Sequence, residues 1–210
     1  MATITTYTEL TTAIGNWAAR TDTAFTDQYD TFIDLTEAQL RGAPEDGGYR
    51  GEITRASGSV STLTLAIPSD FLEPFRFEFT GDSGGLVEFI GREQMSLATR
   101  NGNGKPRFWT VTDVIEFDVT PDTGYPYELS YYANITALTG TASTNTILTN
   151  YPQIYLSGCM FHAHRFLQDP EGAAHWGSQY RLAVKAANRE YERRITSRGP
   201  IASKIDGKTP

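Results

Sequence analysis

The chain has 210 residues, a formal net charge of −7 at pH 7 and a single cysteine, Cys159. One cysteine excludes an internal disulfide framework, and no stretch approaches the roughly eighteen unbroken apolar residues of a membrane span. Because the first ten residues lack the basic-then-apolar pattern of a signal peptide, we expect a soluble chain that folds in a reducing cytoplasm and has no membrane partner.

The charges are segregated along the chain. Through Leu148 there are nine basic and twenty acidic residues, a balance of −11, whereas from Thr149 onward there are nine basic and five acidic residues, a balance of +4. Nucleic-acid binding needs a basic patch that neutralises several phosphates, and an acidic body repels them. The pattern therefore favours oriented contact with partners over general DNA binding.

Two amphipathic helices are predicted first, over 7–20 and 27–41. Thr6 and Glu9 have the spacing of a capping box at the first helix start. Both helices carry apolar stripes that recur every three or four residues and predict core packing. These stripes are Leu10, Ala13, Ile14 and Trp17, and then Tyr29, Phe32, Ile33, Thr36 and Leu40.

The apolar period changes from about 3.6 to 2 after Tyr49, which predicts strands. Phe75, Phe77 and Phe79 alternate with polar residues, as expected of an antiparallel sheet with one buried face. Thr112-Asp113 is a plausible hairpin, and 91–106 predicts a short helix followed by a glycine-rich loop. The predicted strands are 49–56, 59–67, 74–80, 85–90, 107–112, 114–119 and 127–135.

Two further helices are predicted within 149–195. Asp169 can cap the second of them, with Pro170 and Glu171 suited to its first turn. The segment 196–210 has only two sizeable apolar residues and cannot form a core, so an extended arm is expected there. The predicted fold class is α+β: a helical bundle core of two N-terminal and two C-terminal helices (1–42 and 149–195), an inserted antiparallel β module (43–148) and a C-terminal arm (196–210).

No catalytic, cofactor-binding or metal-ligating residue is predicted. A zinc site from Cys159, His162, His164 and His175 is disfavoured because His164 lies about 200° around the helix from His162. We interpret the cysteine as a buried thiol and the histidines as surface or contact residues.

Three other patterns suggest chemistry but have simpler explanations. The run 81–85 reads GDSGG, as around the serine of chymotrypsin-like proteases, yet every histidine lies far downstream of Ser83, so a hairpin loop is the better interpretation. GNGKP at 102–106 lacks the spacing of a phosphate-binding loop. Glu116 and Asp118 share a strand face, as carboxylates do in many half-exposed strands.

Four stretches together resemble the bacteriophage head-to-tail adaptor (connector) family. They are TYTELTTAIGNWAARTD at 6–22, IPSDFLEPFRFEFTG at 67–81, the strand-rich 104–139, and the helical 144–176 that ends in DPEGAAHW. The last two carry most of the likeness, in the order strand, PDTGYPY turn, strand ending in YY, and helix pair. Thr146, in place of an aromatic residue, and the run RGAPED after the second helix depart from the family pattern.

The resemblance implies a virion protein of the neck, assembled in the bacterial host cytoplasm as a homo-oligomeric ring of about twelve copies. It also implies an arm that docks on the portal protein, a downstream tail or tail-completion protein as the second partner, and DNA that passes through without specific binding. The expected portal contacts of the arm are Arg198, Ile201, Lys204, Ile205 and Lys208. The candidates for contact between subunits are Trp176, Tyr180, Arg181, Arg189, Tyr191 and Arg193. Core packing is the simpler use of the aromatic residues among them, and a solvated helix face is the alternative for the arginines.

Two alternatives stay open at this point. A β-sandwich binding module of a virion, recognising a receptor or glycan, would use exposed aromatic residues such as Trp109 and Tyr125, although sheet core is the simpler use of both. A hydrolase would use Ser83 with a distant histidine.

Overall fold

The computed structural model describes residues 4–51, 53–81 and 84–195. Its helices begin with α1 (Tyr7–Ala18), α2 (Thr23–Thr26) and α3 (Tyr29–Arg41), continue with α4 (Arg92–Ala98), and end with α5 (Thr146–Asn150), α6 (Pro152–Phe166) and α7 (Pro170–Ile195). Within the described ranges, no helix is both long and apolar enough to cross a membrane.

The helices pack around α6. Helix α6 is in contact with α1, α3, α5 and α7, and eight of its fifteen residues are buried. The capping box predicted for α1 is confirmed, since Thr6 and Glu9 bond reciprocally. The predicted start of α7 is confirmed as well, because Asp169 Oδ1 accepts a hydrogen bond from Gly172 N at 3.0 Å.

Seven strands form one sheet in the order β1-β7-β3-β4-β5-β6-β2. They are β1 (Ile53–Val60), β2 (Thr64–Leu65), β3 (Phe71–Phe79), β4 (Gly85–Phe89), β5 (Phe108–Val111), β6 (Ile115–Phe117) and β7 (Tyr125–Ala133). Among the described residues, the paired strands are antiparallel except for β4 with β5, which are parallel and joined through α4. A parallel pair needs such a long crossover, whereas β5 and β6 form the predicted hairpin.

The predicted fold class is wrong. The two edge strands, β1 and β2, are consecutive in the chain and separated only by residues 61–63, so the sheet curls into a nearly closed, barrel-like form. It has its own hydrophobic core, separate from that of the helices, which includes Phe77, Trp109, Ile115 and Leu129. The chain is therefore a mixed α/β protein with a large seven-stranded sheet, and not a helical bundle carrying a small antiparallel insertion.

Two strand predictions also need correction. The predicted strand 59–67 is interrupted after Val60, where the chain leaves one edge of the sheet for the other. Phe75, predicted to face the core with Phe77 and Phe79, is exposed because a shift in the β3–β7 register between Pro74 and Arg76 changes the side that it faces.

Helix α7 joins the helical part to the sheet through side chains in its second half. Tyr180 Oη donates to Gly47 O at 3.0 Å, and Tyr191 Oη accepts from Ile53 N at 3.0 Å. Between them, Asn188 donates to Gly48 O and accepts from the backbone N–H of residue 50, both at 2.9 Å. Residues 47–51, which precede β1, and Ile53 at its start are thus bonded along α7.

Candidate functional site

A buried carboxylate on α3 holds several helical elements together. Glu37 of α3 is 1% exposed, and its Oε1 accepts hydrogen bonds from Leu138 N at 2.7 Å and Tyr155 Oη at 2.9 Å. Its other oxygen pairs with Arg41 at 3.2 Å. Burial raises the pKa of Glu37, partly opposed by these hydrogen bonds. The group links α3, α6 and the loop before α5.

The outer face of α7 carries a basic stripe with an exposed leucine in it. Arg181, Lys185 and Arg189 recur every four residues and are exposed, and Leu182 beside them is 62% exposed. They line a groove of about 530 Å³ together with Glu192 of the same helix and with Pro44 and Glu45. A single exposed leucine is ordinary on a protein surface, so its meaning depends on the apolar surface around it.

A second groove, of about 500 Å³, adjoins the same leucine on its aromatic side. Trp17 of α1 is 60% exposed and meets Trp176 of α7 edge to face, with ring centroids 5.4 Å apart. Leu156 and Ala186 add apolar surface to the lining. Trp17 was predicted as core, and the structure shows that it covers the outside of the bundle instead.

The outer face of α3 has the opposite charge. Asp30, Asp34, Leu35 and Ala38 are exposed there, with Leu35 at 45%. Sequence reasoning missed this face, although Leu35 lies off the apolar stripe of α3 and was the available signal. It also missed Glu37, a charged residue set among the apolar positions of that stripe.

The structure places the six predicted subunit-contact residues in two groups. Tyr180 is buried, and Tyr191 is half-buried and bonded to Ile53, so both support packing within the subunit. The other four line or adjoin the outer face of α7: Trp176, Arg181, Arg189 and Arg193. Their contact with a neighbouring subunit stays a prediction.

The predicted arm residues lie outside the described residues, as does Ser83. They are Arg198, Ile201, Lys204, Ile205 and Lys208.

The cysteine and histidines are not brought together as ligands, and the described ranges hold no group of three or more His, Cys, Asp or Glu side chains suited to a metal ion. Cys159 is buried against Thr36, and burial raises the pKa of its thiol to about 12. Burial, reinforced by nearby Arg165, lowers the pKa of His162 to about 4. His164 pairs with Asp169 at 2.8 Å at the start of α7.

Asp118 has a structural role in the glycine-rich loop. It is fully buried, and its Oδ1 accepts from the backbone N–H groups of Arg107 and Phe108 at 2.9 and 3.2 Å. Its Oδ2 pairs with Arg100 at 2.8 Å. The carboxylate therefore fixes both ends of the loop, while Glu116 accepts from Thr112.

The aromatic residues of the binding-module alternative are buried. Trp109 packs on Phe77 and donates to Val87 O at 3.1 Å, and Tyr125 packs on Phe79. Neither residue offers a surface for a glycan.

Comparison with known proteins gives one family. The family model described as SU10 adaptor protein matches residues 5–203, nearly the whole chain. No curated protein matches the chain itself.

Proposed function

We propose a function from the premise that the chain belongs to the SU10 adaptor protein family, a family of structural bacteriophage adaptor proteins and not of enzymes. In this proposal the protein is a head-to-tail adaptor of the virion neck. About twelve copies form a ring below the portal protein, connect the capsid to the tail or a tail-completion protein, and surround the DNA passage. The family match over 5–203 is the observation that carries the proposal.

Two features of the chain support an assembled ring. The outer faces of α3 and α7 expose leucines within charged surroundings, and the groove beside Trp17 and Trp176 is apolar and open. Such surface is typical of contact with another protein. The acidic excess through Leu148 suits a passage that DNA crosses without adhering.

The division of the chain into a helical core (1–42 and 149–195), a β module (43–148) and an arm (196–210) belongs to the same proposal. The arm would order on the portal, with Ile201 and Ile205 as apolar anchors and Arg198, Lys204 and Lys208 as electrostatic contacts.

Native mass spectrometry of the protein with and without its portal tests this function. A ring of about twelve copies bound to the portal is expected, whereas a monomer or trimer that does not bind the portal would overturn the proposal. Deletion of 197–210 should abolish portal binding and leave the thermal unfolding of the remaining chain unchanged. A chain in which only the charges of Arg198, Lys204 and Lys208 are removed should bind the portal more weakly than the wild type. Its portal affinity should also fall less steeply as the salt concentration rises.

A further inference from the structure

Two outer helix faces of this chain share one pattern of exposed residues and carry opposite charge. On α3, Leu35 is exposed at 45% beside Asp34, with the small exposed residue Ala38 one turn further along. On α7, Leu182 is exposed at 62% beside Arg181, with the small exposed residue Ala186 one turn further along. Each face is thus an exposed leucine flanked by charge and by a small residue at helical spacing.

The acidic face continues beyond this centre, as does the basic one. Asp27 and Asp30 extend the first towards the start of α3, and Lys185 and Arg189 extend the second along α7. Glu45 and Glu192 also line the groove beside α7, which leaves cations in excess there.

The two faces lie on different sides of α6. Helix α3 packs on α6 through Thr36, whose hydroxyl lies 3.6 Å from Cys159 Sγ, and α7 packs on it where Gly177 approaches the ring of Phe161. Since both helices turn their buried stripes towards α6, Leu35 and Leu182 point away from it. One subunit can therefore offer both faces at once to two neighbours.

We infer that the acidic α3 face of one copy of this chain receives the basic α7 face of a second copy. Contact between unlike faces is heterologous, and its repetition closes a ring when the rotation between neighbours divides a full turn. Contact between two α7 faces would instead bring cations together, which is unfavourable. This inference rests on the proposed function, because it assigns the contact from which the proposed ring is built.

Cysteine cross-linking tests the pairing directly, because Cys159 is buried and each exposed leucine can be replaced singly. A disulfide forms only when the two Cα atoms come within about 7 Å. An equimolar mixture of the Leu35→Cys and Leu182→Cys chains should give a covalent dimer on mild oxidation, and neither chain alone should do so. The double variant should give a ladder of oligomers. Leu97→Cys, 89% exposed on α4, is the matched control and should cross-link with neither chain.

Charge reversal gives a second, independent test. Asp27→Lys with Asp34→Lys makes the α3 face basic, so both faces of that variant are basic. Lys185→Glu with Arg189→Glu makes the α7 face acidic, so both faces of that variant are acidic. Each variant alone should self-associate at least about tenfold more weakly than the wild type. Mixing the two variants restores opposite charges at every contact and should restore assembly. Reversal of Glu88 and Asp113, exposed in the sheet, should leave assembly unchanged.

The outcomes separate this inference from the proposed function. A wild-type ring on the portal without the mixed cross-link, or with cross-linking between like chains, overturns the inference and leaves the adaptor function standing. The mixed cross-link in a protein that never engages the portal upholds the contact and overturns the function.

Discussion

Replacement of Glu37 by leucine should destabilise the helical part strongly, whereas replacement by glutamine should destabilise it less. In Glu37→Leu the N–H of Leu138 and the hydroxyl of Tyr155 lose the acceptor that lies 2.7 and 2.9 Å away. Each buried donor left without a partner costs about 1–3 kcal/mol, so the loss for both is about 2–6 kcal/mol.

Glutamine keeps an oxygen where these two donors need it. Burial raises the pKa of Glu37, so the charged form is disfavoured at this position. Replacing the carboxylate by a neutral amide therefore loses little electrostatic stabilisation. The lost partner of Arg41 costs about 0–1 kcal/mol, because that guanidinium is 39% exposed and stays hydrated. Glu37→Gln should therefore cost less than Glu37→Leu, about 1–3 kcal/mol, because the amide NH2 group that replaces Oε2 is buried beside the Arg41 guanidinium, which cannot accept a hydrogen bond.

Urea unfolding followed by tryptophan fluorescence measures both variants in the full chain. Trp17 and Trp176 report on the helical part and Trp109 reports on the sheet. Equal unfolding free energies for the leucine and glutamine variants would refute the view that the oxygen acceptor, and not the charge, is what the fold needs at this position.

Three further predictions concern other buried groups. Burial lowers the pKa of His162 from 6.5 to about 4, so between these pH values the unfolded chain binds a proton that the folded chain does not. The free energy of unfolding should therefore fall by about 2 kcal/mol from pH 7 to pH 5. His162→Leu should remove this part of the loss, as measured by urea titrations at both pH values. Asp118→Ala should free the loop that it holds, so trypsin should cleave after Arg100 faster than in the wild type. Asp118→Asn should be cleaved more slowly than the alanine variant, and equal rates would contradict this role. Gly158→Ala would place a methyl group 2.4 Å from Thr36 Cγ2 and should cost about 1–3 kcal/mol in thermal unfolding, with partial rescue by Thr36→Ser, although alanine ordinarily favours a helix.

Local features of this fold could be predicted from the sequence, because their causes are local. The capping box of α1 and the start of α7 at Asp169 depend on residues within one helical turn. Strand periodicity also located each strand approximately, since alternation of buried and exposed residues needs no knowledge of neighbours.

The order of the strands could not be predicted in this way. Strand β3 lies between β4 and β7, and the pairing of Phe77 with Leu129 joins residues about fifty positions apart, which periodicity does not encode. The parallel β4–β5 pair and the exposure of Phe75 both depend on register within the assembled sheet. Pattern alone therefore indicated a sheet but not its curvature or its size.

The candidate surface was predicted in part. Arg181 and Arg189 were identified from a charged stripe that the structure shows to be exposed. Tyr180 was identified from an aromatic stripe, and the same spacing serves a buried residue. Trp17 could not be assigned to the outside, because the exposure of a residue within an apolar stripe depends on how far the neighbouring helix extends. Leu35 could have been assigned there, since it lies off the apolar stripe of α3.

The attachment of residues 47–51 and Ile53 along α7 has a mechanical consequence. The bonded positions advance together, from Gly47 at Tyr180 to Ile53 at Tyr191, so the segment and the helix run in the same direction. A pull along the axis at the C-terminal end of α7 would load these hydrogen bonds in shear, all at once, and not peel them apart one by one. The 26-residue helix, about 39 Å long, would then transfer tension from the helical part into the first strand of the sheet.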